Sequence, residues 1–582
     1  MTLQTPQDLT IGENNMPNTN ETAVSPFLPD RSWLASWLLR QDAQLISRFA
    51  YFYKQVQTWP RRLRQKLAFS LAGAALLLAL SSTPQAQADS ISVSPGAAGI
   101  ANGDGCSLVE AISNANNDAS TYSECAAGSG PDTITLAGNT YAYSTAYGNY
   151  AANYDAALPN VTSDITIQGN GAIIQGPGDG TMRILTVAPG GSLTLNDATI
   201  SGGGNLNDVN ALIAGGGIGN YGSLTLNGST ISGNAASFGG GIYNLDGAVT
   251  VRNSVISGNA AQTGGGIESV TFLGNAVVTI EVSTIDGNSA TLSGGGIYNV
   301  NGEVAISHST ISGNSAVELG GGVFNYGVYY GYGRLAITNS TISGNTADNR
   351  GGGIYSYGTD FGTAEATLTN STVSGNTAVN GGGMINNGRY DGTASITLHR
   401  SIVSGNTAPS VPNAGPNVYQ DSATLNGNDY NLLGENNDSG IIGGIDNTGG
   451  TDIVPGSGIL IADILDTALA QNGVNPHPYT HALVSGSPAI DAAPSAACLA
   501  APVNNVDQRG AERNVDGNSA ASGNECDVGA FEYLSTQTPT AVTLQSAAAR
   551  PPNAAAPAAA FGILALLSGA WLRHKKRGRR GA

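Results

Sequence analysis

The sequence predicts an all-β fold, a parallel β-helix built from coils of three short strands, and three observations predict it. A phrase of the form STISGN recurs seven times, ending at Asn234, Asn259, Asn288, Asn314, Asn345, Asn376 and Asn406. A glycine phrase, GGGIYN in its fullest form at 239–244, keeps step with it, at Gly215, Gly239, Gly264, Gly294, Gly320, Gly351 and Gly381. The composition, with 81 glycines, 6% aromatic and 11% charged residues, suits a repetitive β architecture cornered by glycine and asparagine rather than packed helices.

The period is 25 to 31 residues, the signature of a solenoid in which each repeat buries its apolar face only against its neighbours. Within a unit, Leu224 and Leu226 alternate with polar residues, Ile231 follows a corner, and Ile242 lies in the glycine phrase. The equivalents Val249, Val251, Ile256 and Ile267, then Val304, Ile306, Ile311 and Val323, repeat the pattern, so each coil sends a few aliphatic residues inward from three strands. Identical residues then stack in ladders, and the asparagines of STISGN are expected to bond through their amides along the stack.

The chain order follows from this. Residues 1–88 read as a long leader that ends in a secretory signal. Arg61, Arg62, Arg64 and Lys66 precede an apolar run at 67–80, and Ala86-Gln87-Ala88 offers small residues for cleavage. The leader's own Trp33, Trp37, Phe49 and Phe52, at helical spacing, suggest an extended signal region or a start codon placed too early. Residues 89–131 are expected to cap the solenoid. Ser107 and Glu110 form a capping-box pattern, with Leu108, Ile112 and Ala115 on one helical face. Residues 132–198 read as the first coils, 199–410 as the repeats proper, and 411–535 as a last coil followed by a closing module. A linker at 536–553 leads to an apolar segment at 554–572, read as a transmembrane or sorting segment, and a basic tail at 573–582 that would stay inside.

Between residues 89 and 549 there are 36 Asp plus Glu against 8 Arg and no Lys, a balance of −28. Such a surface repels nucleic acid and anionic membrane, so membrane contact is expected only through the C-terminal segment. Cys106, Cys125, Cys498 and Cys526 all fall in the exported part. Three pairings are possible, and the two local ones, Cys106 with Cys125 and Cys498 with Cys526, are favoured. No Cys/His cluster suggests a metal, and no cofactor is expected.

Two segments carry a family resemblance. CSLVEAI at 106–112 resembles the CSLREA-type motif at the start of many bacterial surface β-helix proteins, with Val109 where that motif usually has Arg. His481-Ala-Leu, Ser487-Pro-Ala-Ile-Asp491, Asp507-Gln-Arg-Gly510 and the run Cys526 to Glu532 resemble the C-terminal module of β-helix proteins of the choice-of-anchor kind. With the repeats, the chain is similar over residues 103–533 to polymorphic outer membrane proteins and the wider pectin-lyase-like superfamily. The resemblance implies a right-handed coil, in keeping with the handedness of parallel crossovers, and display at the cell surface or outer membrane, or release after C-terminal processing. It also implies a shared fold rather than an activity, because lyases and adhesins both use it.

Extra length always enters after the glycine phrase and before the next strand, at VTFLGNA near Thr271, and at 326–334, 357–366 and 387–395. Insertions at one corner project from one side of a solenoid. Tyr326, Tyr329, Tyr330, Tyr332, Tyr357, Phe361 and Tyr390 should therefore gather on one flank, beside Asp360, Arg389 and Asp391, as a binding surface for an extracellular glycan or surface protein, or else pack on one another over a sheet edge. Catalytic chemistry is less legible. The only acid/base grouping is Asp348 and Arg350 in one turn, with Glu318 one coil earlier. GxGxxG at 217–222 belongs to the repeat and not to a nucleotide site. The reading is a monomeric, non-catalytic surface protein of adhesin type. A polysaccharide lyase or hydrolase and a structural surface-layer component are the alternatives.

Overall fold

The computed structural model describes residues 90–534, apart from 96, 98, 101–102, 148–155, 179–181, 205–213, 409–413, 444, 448–449, 474–477 and 514–525. The expected leader and signal peptide, the linker, the apolar C-terminal segment and the basic tail lie outside the described residues. The described chain is a parallel β-solenoid of about nine turns. Its coils have three sides, each side a parallel sheet, of 22, 6 and 10 strands.

One coil shows how the letters of the repeat are spent. The strand Ala248–Arg252 sends Val249 and Val251 inward, and the chain then bends at Asn253, whose φ of 48° is left-handed. Asparagine tolerates that region better than most residues. Val255–Ser257 continues the same sheet beyond the bend and buries Ile256. After Asn259 the chain turns into Ala260–Thr263, a strand of the second sheet, and after the glycine phrase into Ile267–Val270 of the third. The sequence reading gave three strands per coil; the structure places two of them on one side and adds a strand after SGN that the reading did not include. Its inward residue is only alanine, at Ala236, Ala261, Ala290, Ala316, Ala347 and Ala378, too small to mark a hydrophobic pattern.

The glycine phrase is a steric requirement. Gly239 adopts φ +59°, and a Cβ on Gly240 would come within 2.4 Å of the Ala260 carbonyl. Three glycines therefore let the second and third sheets meet at a corner too tight for side chains.

Coils are locked in register by buried polar ladders as well as by backbone bonds. Asn234, Asn259, Asn288, Asn314, Asn345 and Asn376 each donate Nδ2–H to Oδ1 of the asparagine one coil on, at 2.9–3.0 Å. The same Oδ1 also accepts the preceding asparagine's backbone N–H at 3.0 Å, so the expected ladder is present and doubly bonded. The serine that opens STISGN makes a second ladder at the left-handed bend, each backbone N–H reaching the next serine's Oγ at 3.0–3.3 Å from Ser229 to Ser401.

The N-terminal helix, α1, spans Leu108–Asn117. Its capping box is formed as the sequence suggested, with Ser107 N–H on Glu110 Oε2 at 3.0 Å and Glu110 N–H on Ser107 Oγ at 3.3 Å. Both local disulfides, Cys106–Cys125 and Cys498–Cys526, are formed.

The C-terminal module does more than follow the last coil: it lies back along the flank of the first sheet. Gln508 Nε2 donates to Ser309 O at 3.1 Å and to Thr310 Oγ1 at 2.9 Å, His481 meets Ser343 Oγ at 2.7 Å, and Ala530 N–H meets Thr372 Oγ1 at 3.0 Å. The footprint shows in burial, because Thr310–Ser312, Thr341–Ser343 and Thr372–Ser374 are buried throughout while Thr230–Ser232, Val255–Ser257 and Thr284–Asp286 show outward residues to solvent. The module's own charges are paired, Arg509 with Asp507 at 2.6 Å and Arg513 with Glu532 at 3.4 Å. Glu532 thus completes the second of these ion pairs, while Asp527 accepts the backbone N–H of Asp491 at 2.7 Å.

The ladder makes a quantitative expectation. Asn345→Ala strands buried donors of Asn314 and the Ile311 carbonyl, and leaves Asn376 Oδ1 with only its backbone donor, which should cost about 3 kcal/mol. Asn349→Ala, on the exposed side of the strand Thr346–Arg350 that follows, should cost less than about 0.5 kcal/mol. Urea denaturation of both variants compares them, and equal midpoints would show that the ladder carries no such energy.

Candidate recognition face

The third sheet positions the candidate site. Ile242, Ile267, Ile297, Val323, Ile354 and Met384 point into the core at every coil. Strand alternation then turns the next residue outward, giving the in-register row Tyr243, Glu268, Tyr298, Phe324, Tyr355, Ile385 and Tyr419. A second outward row, two residues on, includes Val300, Tyr326, Tyr357 and Asn387. Rings of the two rows stack on one another. Phe324 lies 5.0 Å from Tyr355 and 5.4 Å from Tyr326, and Tyr326 lies 5.5 Å from Tyr357 at an interplanar angle of 8°.

Beyond these rows the insertions are not free loops. They lengthen the strands and end in three stacked two-residue turns, Tyr329-Tyr330, Asp360-Phe361 and Tyr390-Asp391, with φ of 51° and 64°, 49° and 64°, and 49° and 61°. Each turn is closed by an N–H to carbonyl bond, from Gly331 to Val328 at 2.9 Å, Gly362 to Thr359 at 2.8 Å and Gly392 to Arg389 at 2.8 Å. Two consecutive left-handed residues make a type I′ turn, which asparagine and glycine normally supply. A non-glycine residue there costs roughly 1–2 kcal/mol.

The flank expected from sequence is thus assembled, but in two parts. Tyr326 and Tyr357 are half-buried in the stack, as the packing alternative held. Tyr329, Tyr330, Phe361 and Tyr390 stand at the lip, 77%, 73%, 53% and 71% exposed, with Tyr330 and Phe361 stacked at 5.0 Å. Tyr332 is exposed beside Arg334, whose guanidinium carbon sits 5.7 Å from the ring centre. Asp360 and Asp391 lie in the turns, and Arg389 pairs with Asp421. The insertion near Thr271 ends in exposed Phe272 and Leu273, whose backbone N–H groups are held by Asp246. Burial would raise the Asp246 pKa, but the N–H groups of Phe272, Leu273 and Gly274 outweigh it and hold the carboxyl below its ordinary value.

No family model and no curated protein matches the chain.

The sequence reading missed the inner row. Its signal was present in the fifth letter of the glycine phrase, aromatic at Tyr243, Tyr298, Phe324 and Tyr355. Beside an inward Ile or Val in a strand, that letter must face out. Asp348, Arg350 and Glu318 do lie in adjoining coils, with Arg350 N–H on Glu318 O at 3.0 Å. Asp348 and Glu318 are exposed, and among the described residues Arg350 forms no ion pair with either. The Tyr355 hydroxyl accepts Asn387 Nδ2–H at 2.9 Å, with the Arg350 guanidinium as a second donor group close by. Burial raises the Tyr355 pKa, and these two donors oppose it. Burial likewise pushes Tyr326 up to about 12, so these hydroxyls remain protonated donors at any physiological pH. His399 Nδ1 lies 2.8 Å from Asp429, which also pairs with Arg400. Among the described residues no group of three or more metal-ligating side chains is clustered.

Glu268 is the one carboxyl in the inner row. It accepts Thr263 Oγ1–H at 2.7 Å, and burial pushes its pKa up to about 8. Because the folded value lies above the ordinary 4.5, protonation favours folding. The contribution is complete below the unfolded value and is lost as pH rises towards about 8. Glu268→Gln should therefore melt at the same temperature as the parent at pH 4 and above it at pH 9. Parallel melting curves for the two proteins across that range would contradict the assignment.

Proposed function

We propose that the protein is an exported, non-catalytic recognition protein of adhesin type, and that the aromatic face of the third sheet with its lip binds a surface glycan. The observation that carries this reading is the lip itself. Six turn residues hold costly left-handed conformations in three successive coils, and four of them are exposed aromatics. Backbone strain that concentrates at an exposed, ordered edge is a functional signature, and a core-packing role would have turned those rings inward. Coil stacking fixes the rings at a repeat of ~4.8 Å, so tyrosine hydroxyls and ring edges recur along the face as a preorganised array. A polymeric ligand can meet that array with little ordering cost.

Supporting the location, the two disulfides fit an oxidising compartment, and the signal-like and anchor-like ends fit export and surface display. The CSLVEAI segment and the C-terminal module support membership of the bacterial surface β-helix group and its right-handed coil. The exposed Asp348 and Glu318, neither of them ion-paired with Arg350, favour binding over lyase or hydrolase chemistry, which needs convergent acid and base groups.

The full chain should be retained on one or more of a panel of immobilised neutral and acidic polysaccharides without releasing unsaturated or reducing-end products. The double variant Tyr330→Ala/Phe361→Ala should lose roughly tenfold or more in affinity, at about 1–3 kcal/mol per stacked ring, while its melting temperature holds. Release of product by the parent, or undiminished retention of the variant, would refute the proposal.

A further inference from the structure

The eight arginines between residues 89 and 549 are not equivalent. Arg252, Arg334, Arg389, Arg400, Arg509 and Arg513 each pair with a carboxylate, and Arg183 is buried against Tyr221. Arg350 is partly exposed and pairs with no carboxylate among the described residues, although exposed Asp348 and Glu318 are close in the chain and in the adjoining coil. In a region with 36 acidic residues, an arginine that stays clear of them needs a reason.

Its position supplies one. Arg350 closes the second-sheet strand Thr346–Arg350, in register with Asn380, at the glycine corner that opens onto the third sheet. Its Nε is buried without a partner, and the guanidinium lies close enough to the Tyr355 hydroxyl to oppose the rise in that group's pKa. The Tyr355 ring stacks on Phe324 at 5.0 Å and on Tyr357 at 5.6 Å. From Tyr355 to the lip residue Phe361 is six residues of strand and turn, ~20 Å at strand rise, so the cation stands at one border of the aromatic face and the lip at the other.

We propose that Arg350 anchors a carboxylate of the glycan that lies on this face, and that the ligand is a mainly neutral chain carrying isolated carboxylates. The inference rests on the recognition function above and narrows its ligand class. A guanidinium offers a planar fork that matches a carboxylate with two parallel bonds, and Tyr355 and Asn387 hold that fork's support in place. One such cation accommodates one acid group. The surrounding balance of −28 repels a chain with a charge on every sugar, because repulsion acts over a Debye length of ~8 Å at physiological salt. The face therefore selects sparse charge over dense charge.

The test compares the full chain on immobilised glucuronoxylan, a neutral chain with occasional acid side groups, on the same polymer after carboxyl reduction, and on polygalacturonate. Glucuronoxylan should bind roughly tenfold tighter than its reduced form, as expected for a charge-assisted hydrogen bond, and polygalacturonate should bind weakest. Arg350→Gln should lower glucuronoxylan binding to the reduced-polymer level without changing binding to the reduced polymer. Arg350→Lys, which keeps the charge but not the fork, should recover only part. The melting temperature of each variant controls for folding. If Arg350→Gln binds glucuronoxylan as the parent does, if polygalacturonate binds best, or if only chains without carboxylates are retained, the carboxylate anchor is wrong while the recognition function stands. If no glycan is retained, both fall together.

Discussion

Everything in this protein depends on coils stacking in strict register, and the buried asparagine ladder is the interaction that makes register expensive to lose. A backbone ladder alone tolerates slippage, since every N–H finds some carbonyl. A column of buried amides does not, because a coil displaced by one residue would strand an amide donor and an oxygen acceptor in the core. Each asparagine oxygen takes two N–H donors, one side-chain and one backbone, from its predecessor. The serine ladder repeats the arrangement at the bend of the first sheet.

Once register is fixed, the outside is fixed with it. Any residue type placed at one outward position of successive units becomes a column at coil spacing. The chain uses this in different ways on different sides. On the first sheet, outward threonines and serines form a polar track on which Gln508, His481 and Ala530 seat the C-terminal module. His481 is held in a single neutral form there, Nδ1 donating to Asp466 O at 2.8 Å and Nε2 accepting from Ser343, and burial holds its pKa below the ordinary value. On the third sheet, the columns are aromatic and end in the strained lip. The aliphatic core is nearly the same in every coil, so what distinguishes one coil from another is carried at the surface.

Most of the fold was legible because the sequence repeats, and repetition turns a weak single-strand pattern into a strong one. The inward Ile and Val positions, the helix cap at Ser107 and Glu110, the asparagine ladder and the flank carrying the insertions were all readable from spacing. The second sheet was not, since a strand whose inward residue is Ala236 or Ala261 gives no apolar alternation to see. The backward fold of residues 480–513 and 526–533 along the flank was also hidden, because it rests on single polar contacts such as Gln508 with Thr310, which have no periodicity. Within the candidate site, the exposed tyrosines were visible as insertions. The inner row at Tyr298, Phe324 and Tyr355 was overlooked because it lies inside the phrase that also makes the corner, and the left-handed turn geometry at Tyr329 and Tyr330 has no sequence cue, these being residues that normally avoid it.

The central claim is that architecture and recognition are separable, the first residing in the repeated letters and the second in the long corners. It is tested most directly by trimming those corners at 326–334, 357–364 and 387–394 to the short form that joins Asn299 to Glu303 in the coil before, and measuring both melting temperature and glycan retention of the full chain. The account predicts that melting is held within a few degrees, since the inward aliphatic residues of the solenoid, the ladders and the glycine corners are untouched and only the small satellite cluster of Ala364 and Ala394 is lost, while retention is abolished. A trimmed protein that unfolds, or one that is retained as before, would contradict it.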